Sequence, residues 1–424
     1  MTRFPSPKRL FLLTLAGVCC AQVLAQEAPP GRDVDSLLIV ARERNPEYAG
    51  MRHEAAAAGE RVVPAGALAD PRLRIELRDL TRMGEQKATF SPSRVGSTKY
   101  LLMQDLPWYG KRDLKRQIAE LDAQGAEGRA MGNWSDLAAR IKSAHAQLFS
   151  VQRNQRLTRE ILDLMLRLEG ITRLRYTQGL AAQSDVIRAQ VEQTSLMNEL
   201  LGLDNDRRQL QARINALLAR PATATLAEPD HLRPLPVPTL LDYAVLEERV
   251  RTRNPQLFAE AARIGAAEKS RELAYRNRYP DFIVGLAPIQ YQGSIDEWEF
   301  MVEINIPLQQ ASRRAQERES EAMLSATRAR RDATASQVLG ELAENLSAIE
   351  AARQSEKLAQ SRLLPQAELG FQSALAAYEN GRIDFITLLE AQRQIRQARQ
   401  SQLKAQVEAQ VRLAEVERLL GEDL

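Results

Sequence analysis

The sequence predicts a mainly α-helical chain with some β structure, in which one unit occurs twice: a pair of short strands followed by a very long helical hairpin. Three observations lead there. Landmark residues recur in one order: Asn45-Pro46 returns as Asn254-Pro255, Asp70-Pro71 as Tyr279-Pro280, and Leu106-Pro107 as Ile306-Pro307. Tyr176–Gly179 (YTQG) then returns as Tyr378–Gly381 (YENG), and Ala189-Gln190 as Ala391-Gln392. Long proline-poor stretches carry apolar residues every three or four positions, the period of a helix face. Between them lie short segments in which apolar and polar residues alternate, the period of a strand.

Composition agrees with long helices and not with ordinary globules. Charged residues make up 27% of the chain and aromatics only 5%, while Ala, Leu, Arg, Gln and Glu dominate long runs. Such helices bury narrow coiled-coil seams rather than a thick core.

The N-terminus reads as a targeting segment, residues 1–25. Arg3, Lys8 and Arg9 precede an apolar run from Leu10 to Val18, and Val23-Leu24-Ala25 fits a small-residue cleavage site. Cleavage after Ala25 is expected, leaving Gln26 first. Cys19 and Cys20 sit at a depth suited to lipidation, but Val18 and Cys19 precede them where a small residue is usual. The mature chain would then have no cysteine and no thiol chemistry. The formal charge of +3 would fall to about zero, so no basic excess points to nucleic acid. Beyond Ala25 no run of 18 apolar residues suggests a membrane helix.

The first repeat is expected at 26–220: a helix from Val34 to about Val63, a β-hairpin at 71–106 and a helical hairpin at 111–219. A proline-rich linker at 221–239 follows, holding Pro221, Pro229, Pro234, Pro236 and Pro238. The second repeat, 240–424, repeats the plan: a helix from about Leu240 to Tyr275, a hairpin at 280–307 and a helical hairpin at 311–420. In Leu73–Arg78 one face is aliphatic and the other charged; in Trp298–Ile306 one face is aromatic or aliphatic and most of the other is polar. One face in an apolar medium and one in water suits a strand between lipid and an aqueous lumen, and equally a half-buried strand of a soluble sheet. Four strands cannot close a barrel alone, and open edges cannot face hydrocarbon. If these strands lie in a membrane, several copies must share one barrel.

Lys111 to about Leu174 holds no proline, on the order of 90 Å of helix at the usual rise. Its seam runs Leu137, Ile141, Ala144, Leu148, Val151, then Ile161, Leu164, Leu168, Ile171. The return helix shows Leu196, Leu200, Leu203, Arg207, Leu210, Ile214 and Leu217; the second unit shows Val338, Leu342, Asn345, Ile349 and Leu413, Val416, Leu420.

No catalytic constellation stands out, so the chain is not expected to be an enzyme. His53, His145 and His231 are scattered, and none has a second His three or four positions on, so no metal or cofactor is expected. Met83 and Met103 offer soft sulfur, but gap-filling is the commoner role.

These landmarks, together with Leu106–Arg112 (LPWYGKR), resemble the TolC-type outer-membrane efflux proteins over nearly the whole mature chain. The resemblance implies a homotrimer in the bacterial outer membrane, each copy giving four strands to a twelve-stranded β-barrel and its helices to an α-helical barrel through the periplasm. It implies a passive exit duct for small solutes, served by a periplasmic adaptor (membrane fusion) protein and an inner-membrane pump, with the proton-driven resistance-nodulation-division type expected. Tyr176, Gly179, Tyr378 and Gly381 would mark the periplasmic tips that meet the adaptor. The family carries acidic residues six and nine positions beyond the second glycine as a constriction; here Thr387 takes the first place and Glu390 the second, with Asp185 and Asp384 as further candidates. LPWYGKR looks similar to relatives serving heavy-metal efflux, so metal cations join the candidate cargo. An exit duct for type I protein secretion remains the alternative, and a periplasmic coiled-coil adaptor a more distant one.

Overall fold

The computed structural model describes residues 29–424; the targeting segment, its cleavage site and Cys19 and Cys20 lie outside the described residues. Each repeat opens with a broken helix where the sequence suggested a continuous one. The first repeat has α1 (Val34–Arg44), α2 (Pro46–Glu60) and α3 (Val62–Gly66); the second has α6 (Tyr243–Arg253) and α7 (Pro255–Arg276), after a short 3₁₀ turn at Pro238–Leu241. The cause is the Asn-Pro pair. Proline disfavours helical backbone in the residue before it, and Asn45 (φ −68°, ψ 118°) and Asn254 (φ −58°, ψ 124°) leave the helix accordingly. Each Asn then caps the helix that Pro begins, accepting from Tyr48 N–H and Leu257 N–H at 2.9 Å. Each amide also donates back to the end of the return helix, Asn45 to Leu217 O at 2.8 Å and Asn254 to Leu419 O at 2.7 Å. The repeated motif is thus a repeated clasp between the start and end of each unit.

The strands are β1 (Arg72–Arg78), β2 (Ser97–Leu106), β3 (Asp281–Tyr291) and β4 (Ser294–Asn305), the last starting four residues earlier than the clearest alternation suggested. They form one antiparallel sheet in chain order, with β2 and β3 joining the two repeats. Register places Leu73, Ile75, Leu102, Val284, Leu286, Phe300, Val302 and Ile304 on one face. The opposite face carries Arg72, Arg74, Glu76 and Arg78 on one edge and Glu297, Glu299 and Glu303 on the other. Between them lies a small apolar cluster of Leu101, Met103, Ile283, Ala287 and Met301.

The helical hairpins are α4 (Lys111–Thr177) with α5 (Gln183–Leu217), and α8 (Gln310–Leu358) continued by α9 (Leu364–Glu379), with α10 (Phe385–Leu420) returning. With 67 residues, α4 spans about 100 Å. The second outgoing arm is not one uniform helix: a π-turn at Ala359–Leu363 interrupts it just before Pro365. Proline has no N–H to give to the preceding turn, and the wider π spacing absorbs the missing bond.

Seam residues Leu137, Ile141, Ala144 and Leu148 are buried against α1 and the end of α5, and Val338, Leu342 and Ile349 against α6 and the end of α10. Leu200, Leu203 and Leu210 are only half-buried, so the middle of α5 is less covered than its heptad pattern suggested. The linker does more than space the repeats. Ala227 N–H donates to Pro30 O, Gln410 donates to Arg233 O, and Arg233 pairs with the buried Glu417 at 2.9 Å. Glu417 also pairs with the buried Lys142 of α4 at 2.7 Å, a partner without which either charge would be costly to bury.

Candidate functional site

The two hairpin tips share one backbone solution. At the end of α4, Gly179 N–H donates to Tyr176 O and Leu180 N–H to Arg175 O, with Gly179 at φ +73°. At the end of α9, Gly381 N–H donates to Tyr378 O and Arg382 N–H to Ala377 O, with Gly381 at φ +71°. Both are Schellman ends, and their left-handed residue is glycine because a Cβ is unfavourable there.

Around that common turn the side chains differ. Tyr378 is only 3% exposed and belongs to the core formed by Ile161, Met165, Leu168, Phe385 and Leu388. Its hydroxyl lies 2.8 Å from Thr172 Oγ1, and Phe385 meets its ring edge-on at 5.7 Å. The Arg175 guanidinium stacks over the ring at 5.0 Å and donates to Tyr378 O and Glu379 O. Burial pushes the phenol above its ordinary pKa, opposed in part by the Thr172 bond. Tyr176, its counterpart, is 43% exposed.

The carboxylates also fall into different settings. Asp384 caps α10, accepting from Thr387 N–H at 3.0 Å and Thr387 Oγ1–H at 2.6 Å, and these bonds hold its pKa below the usual range. Asp185 lies half-buried in the first turn of α5. Glu390 is exposed, one residue beyond the buried Leu388-Leu389 pair of α10. Asp185, Asp384 and Glu390 are therefore all near the same end of the molecule, on two different helices. Ion pairs Glu192–Arg393 at 2.6 Å and Glu199–Arg396 at 3.1 Å tie α5 to α10 above them.

Arg175, Thr172 and Phe385 were missed by sequence reading. Arg175 and Thr172 lie more than 200 positions from Tyr378, and neither has a local pattern that marks it. Phe385 carried a weak signal, as the first apolar residue after a capping Asp.

Trp108, Lys111 and Arg112 of the LPWYGKR stretch are committed to the joint between sheet and helices. Lys111 Nζ, buried, donates to Asp281 at 2.8 Å and to Tyr279 O at 3.0 Å; Arg112 donates twice to Gly66 O. Trp108 stacks on Tyr279 with centroids 5.1 Å apart. These contacts give Trp108, Lys111 and Arg112 a structural role at the joint. His145 is buried beside Gly31 O, and burial lowers its pKa. Among the described residues no group of three or more His, Cys, Asp or Glu is placed to hold a metal ion. Nor is any helix among them long and apolar enough to cross a membrane, which says nothing of the strands.

Residues 246–422 match the family of outer membrane efflux proteins. The matched stretch lies within the second repeat. Solved outer-membrane proteins extend the likeness in fold to the first repeat as well. The chain is similar to the outer-membrane channel OprN (19% identity, TM-score 0.77, covering 92% of this chain and 89% of that one). It is similar to CusC (16%, TM-score 0.79, 94% and 96%) and to the outer membrane protein VceC of Vibrio cholerae (18%, TM-score 0.78, 93% and 100%). At these identities the likeness is one of fold: the mainly α architecture with a strand pair and long helical hairpin in each repeat. No curated protein matches the chain by sequence.

Proposed function

We propose that three copies of this chain form the exit duct of a tripartite efflux system in the bacterial outer membrane. The observation that carries the reading is the sheet. Its apolar face, including Leu73, Ile75, Leu286, Phe300, Val302 and Ile304, is exposed in the single chain, and β1 and β4 are unpaired edges. Exposed apolar strands with open edges are unfavourable in water and intolerable in lipid until neighbouring copies close the sheet. Shared among three, the strands make a twelve-stranded barrel, lipid on the Phe300 face and water on the Arg74 face. The helices continue it as a periplasmic tunnel whose tips meet an adaptor protein fed by an inner-membrane pump of the resistance-nodulation-division type.

Transport is passive, driven by the inner-membrane partner, and takes small solutes. Heavy-metal cations stay among the candidate cargo, with protein secretion as the alternative. Glu390, repeated three times, forms the acidic part of the tip constriction, with Asp185 and Asp384 as further candidates. Light scattering of detergent-extracted protein, corrected for detergent, should give a trimer, and a monodisperse monomer would overturn the barrel. Deleting the gene should sensitise cells to drugs or metals; loss of a secreted protein with unchanged drug and metal tolerance would favour the secretion alternative.

A further inference from the structure

The two open edges of the sheet carry opposite charge on the same face. On β1, Arg72, Arg74 and Arg78 alternate with apolar residues on the other face, and Glu76 is the single acid among them. The three arginine side chains remain more than half exposed even though each contacts an internal carboxylate, Asp105 or Glu76. On β4, Glu297, Glu299 and Glu303 occupy that face. Glu299 pairs internally with Lys99 and Glu297 accepts from the Tyr291 hydroxyl, while Glu303 is exposed.

The pleat makes this arrangement selective. A neighbouring edge strand must keep its apolar residues on the Phe300 face, so its register can slip only by even steps. In every such register the Arg74 face of an added strand meets the Glu297 face of β4. Two β4 edges would set carboxylates against carboxylates, and two β1 edges arginines against arginines; only β4 against β1 joins unlike charges. An interface between two different edges is head-to-tail, and it closes into a ring when the rotation permits.

We propose that the acidic β4 edge of one copy binds the basic β1 edge of the next, and that this charge asymmetry selects head-to-tail ring closure over symmetric edge-to-edge dimers. The proposal rests on the shared-barrel reading above. The partner is a second copy of this chain, and the like-charge pairings act as the repulsive element that excludes the wrong assembly.

The test uses the full chain in detergent, with oligomeric state measured by light scattering and cross-linking and helical content by circular dichroism. Wild type is measured first, and a monomer there overturns the barrel and the edge proposal together. With a wild-type trimer in hand, Arg74→Glu with Arg78→Glu makes both edges acidic, and Glu297→Arg with Glu303→Arg makes both basic. Each double variant should keep native helical content and show at least a tenfold loss of trimer at low salt. The fourfold swap should restore it. Co-expression of the two double variants under different tags provides a second readout should the swap fail to fold. Mixed species should be captured well above same-variant species. Wild-type trimer yield from either double variant overturns the edge proposal and leaves the barrel standing, as does a folded fourfold swap without trimer or mixed capture no better than same-variant capture.

Discussion

Tyr176 and Tyr378 stand in equivalent places, each three residues before the left-handed glycine of a Schellman turn, yet one is exposed and the other sealed between the hairpins. The backbone is the same because each tip places glycine, at positive φ, three residues after the tyrosine. The burial differs because Thr172 and Arg175 of the first hairpin reach across to the second tip, and among the described residues no equivalent bond reaches back to Tyr176. The surroundings follow: Phe385 and Leu388 are buried beside Tyr378, whereas Leu180, Ile187 and Val191 near the first tip are bare in the single chain. In the proposed trimer the first tip would therefore depend on neighbouring copies or an adaptor for cover, while the second is stabilised within its own chain. A duplicated sequence builds two like turns, and the side-by-side packing of the hairpins covers one tyrosine and leaves the other exposed.

Truncating the two tyrosines should have very unequal effects. Tyr378→Ala should destabilise its tip by about 3 kcal/mol, as for a buried aromatic, while Tyr176→Ala should stay within about 0.5 kcal/mol in the isolated chain. Amide hydrogen exchange at residues 378–389 and 176–187 reads the two effects separately. Equal losses would mean the tips are not distinct.

Substituting the glycines tests the part the tips share. Gly179→Val and Gly381→Val each force a branched side chain into left-handed backbone, at roughly 1–2 kcal/mol. At Gly381 a Cβ would also lie 3.1 Å from Arg175 Nη2, so only that variant should loosen the Arg175 bonds and impair adaptor-dependent export without loss of trimer. Equal export defects from both would assign adaptor contact to the turns alike.

A smaller difference lies in the helix starts. Asp384 caps α10, while Ala182 stands at the same point before α5 with no side-chain cap. Asp384→Ala should speed exchange at the start of α10, and Ala182→Asp should slow it at the start of α5. The folded pKa of Asp384 is depressed, so its contribution is fully present above the unfolded value near 3.8 and is lost as pH falls through the folded value. Acid should therefore loosen the second tip, in wild type and not in Asp384→Ala.

The smallest effect on stability is expected at Glu390, exposed on α10. Glu390→Ala should leave folding and trimer formation unchanged and reduce cation preference or block by multivalent cations in a planar bilayer, more so at low salt. If Asp185→Ala or Asp384→Ala alters selectivity and Glu390→Ala does not, the constriction is acidic but belongs to another carboxylate.

Much of this was legible along the chain. The heptad-like seams marked Ile141, Leu148, Leu342 and Val416 as buried because a helix with a narrow apolar stripe has one stable way to pack. The alternation in Leu73–Arg78 marked a strand with unlike faces. Less legible were the breaks. Asn45-Pro46 served as a landmark of the repeat, while its physical consequence, a helix end capped and clasped to Leu217 O, depends on a carbonyl 172 positions away. The π-turn before Pro365 was likewise visible only as a proline in a helical stretch.

The duplication, the helices, the strand faces and the glycine turns can be read along the chain, because each rests on periodicity or on the φ preference of one residue, both local properties. Tertiary structure alone decided which tyrosine is buried, that Lys142, Arg233 and Glu417 meet, and that β2 joins β3 so that a basic edge and an acidic edge face outward. Those outcomes depend on which distant segments lie side by side, and burial and charge pairing are properties of neighbours in space, which no single stretch of sequence contains.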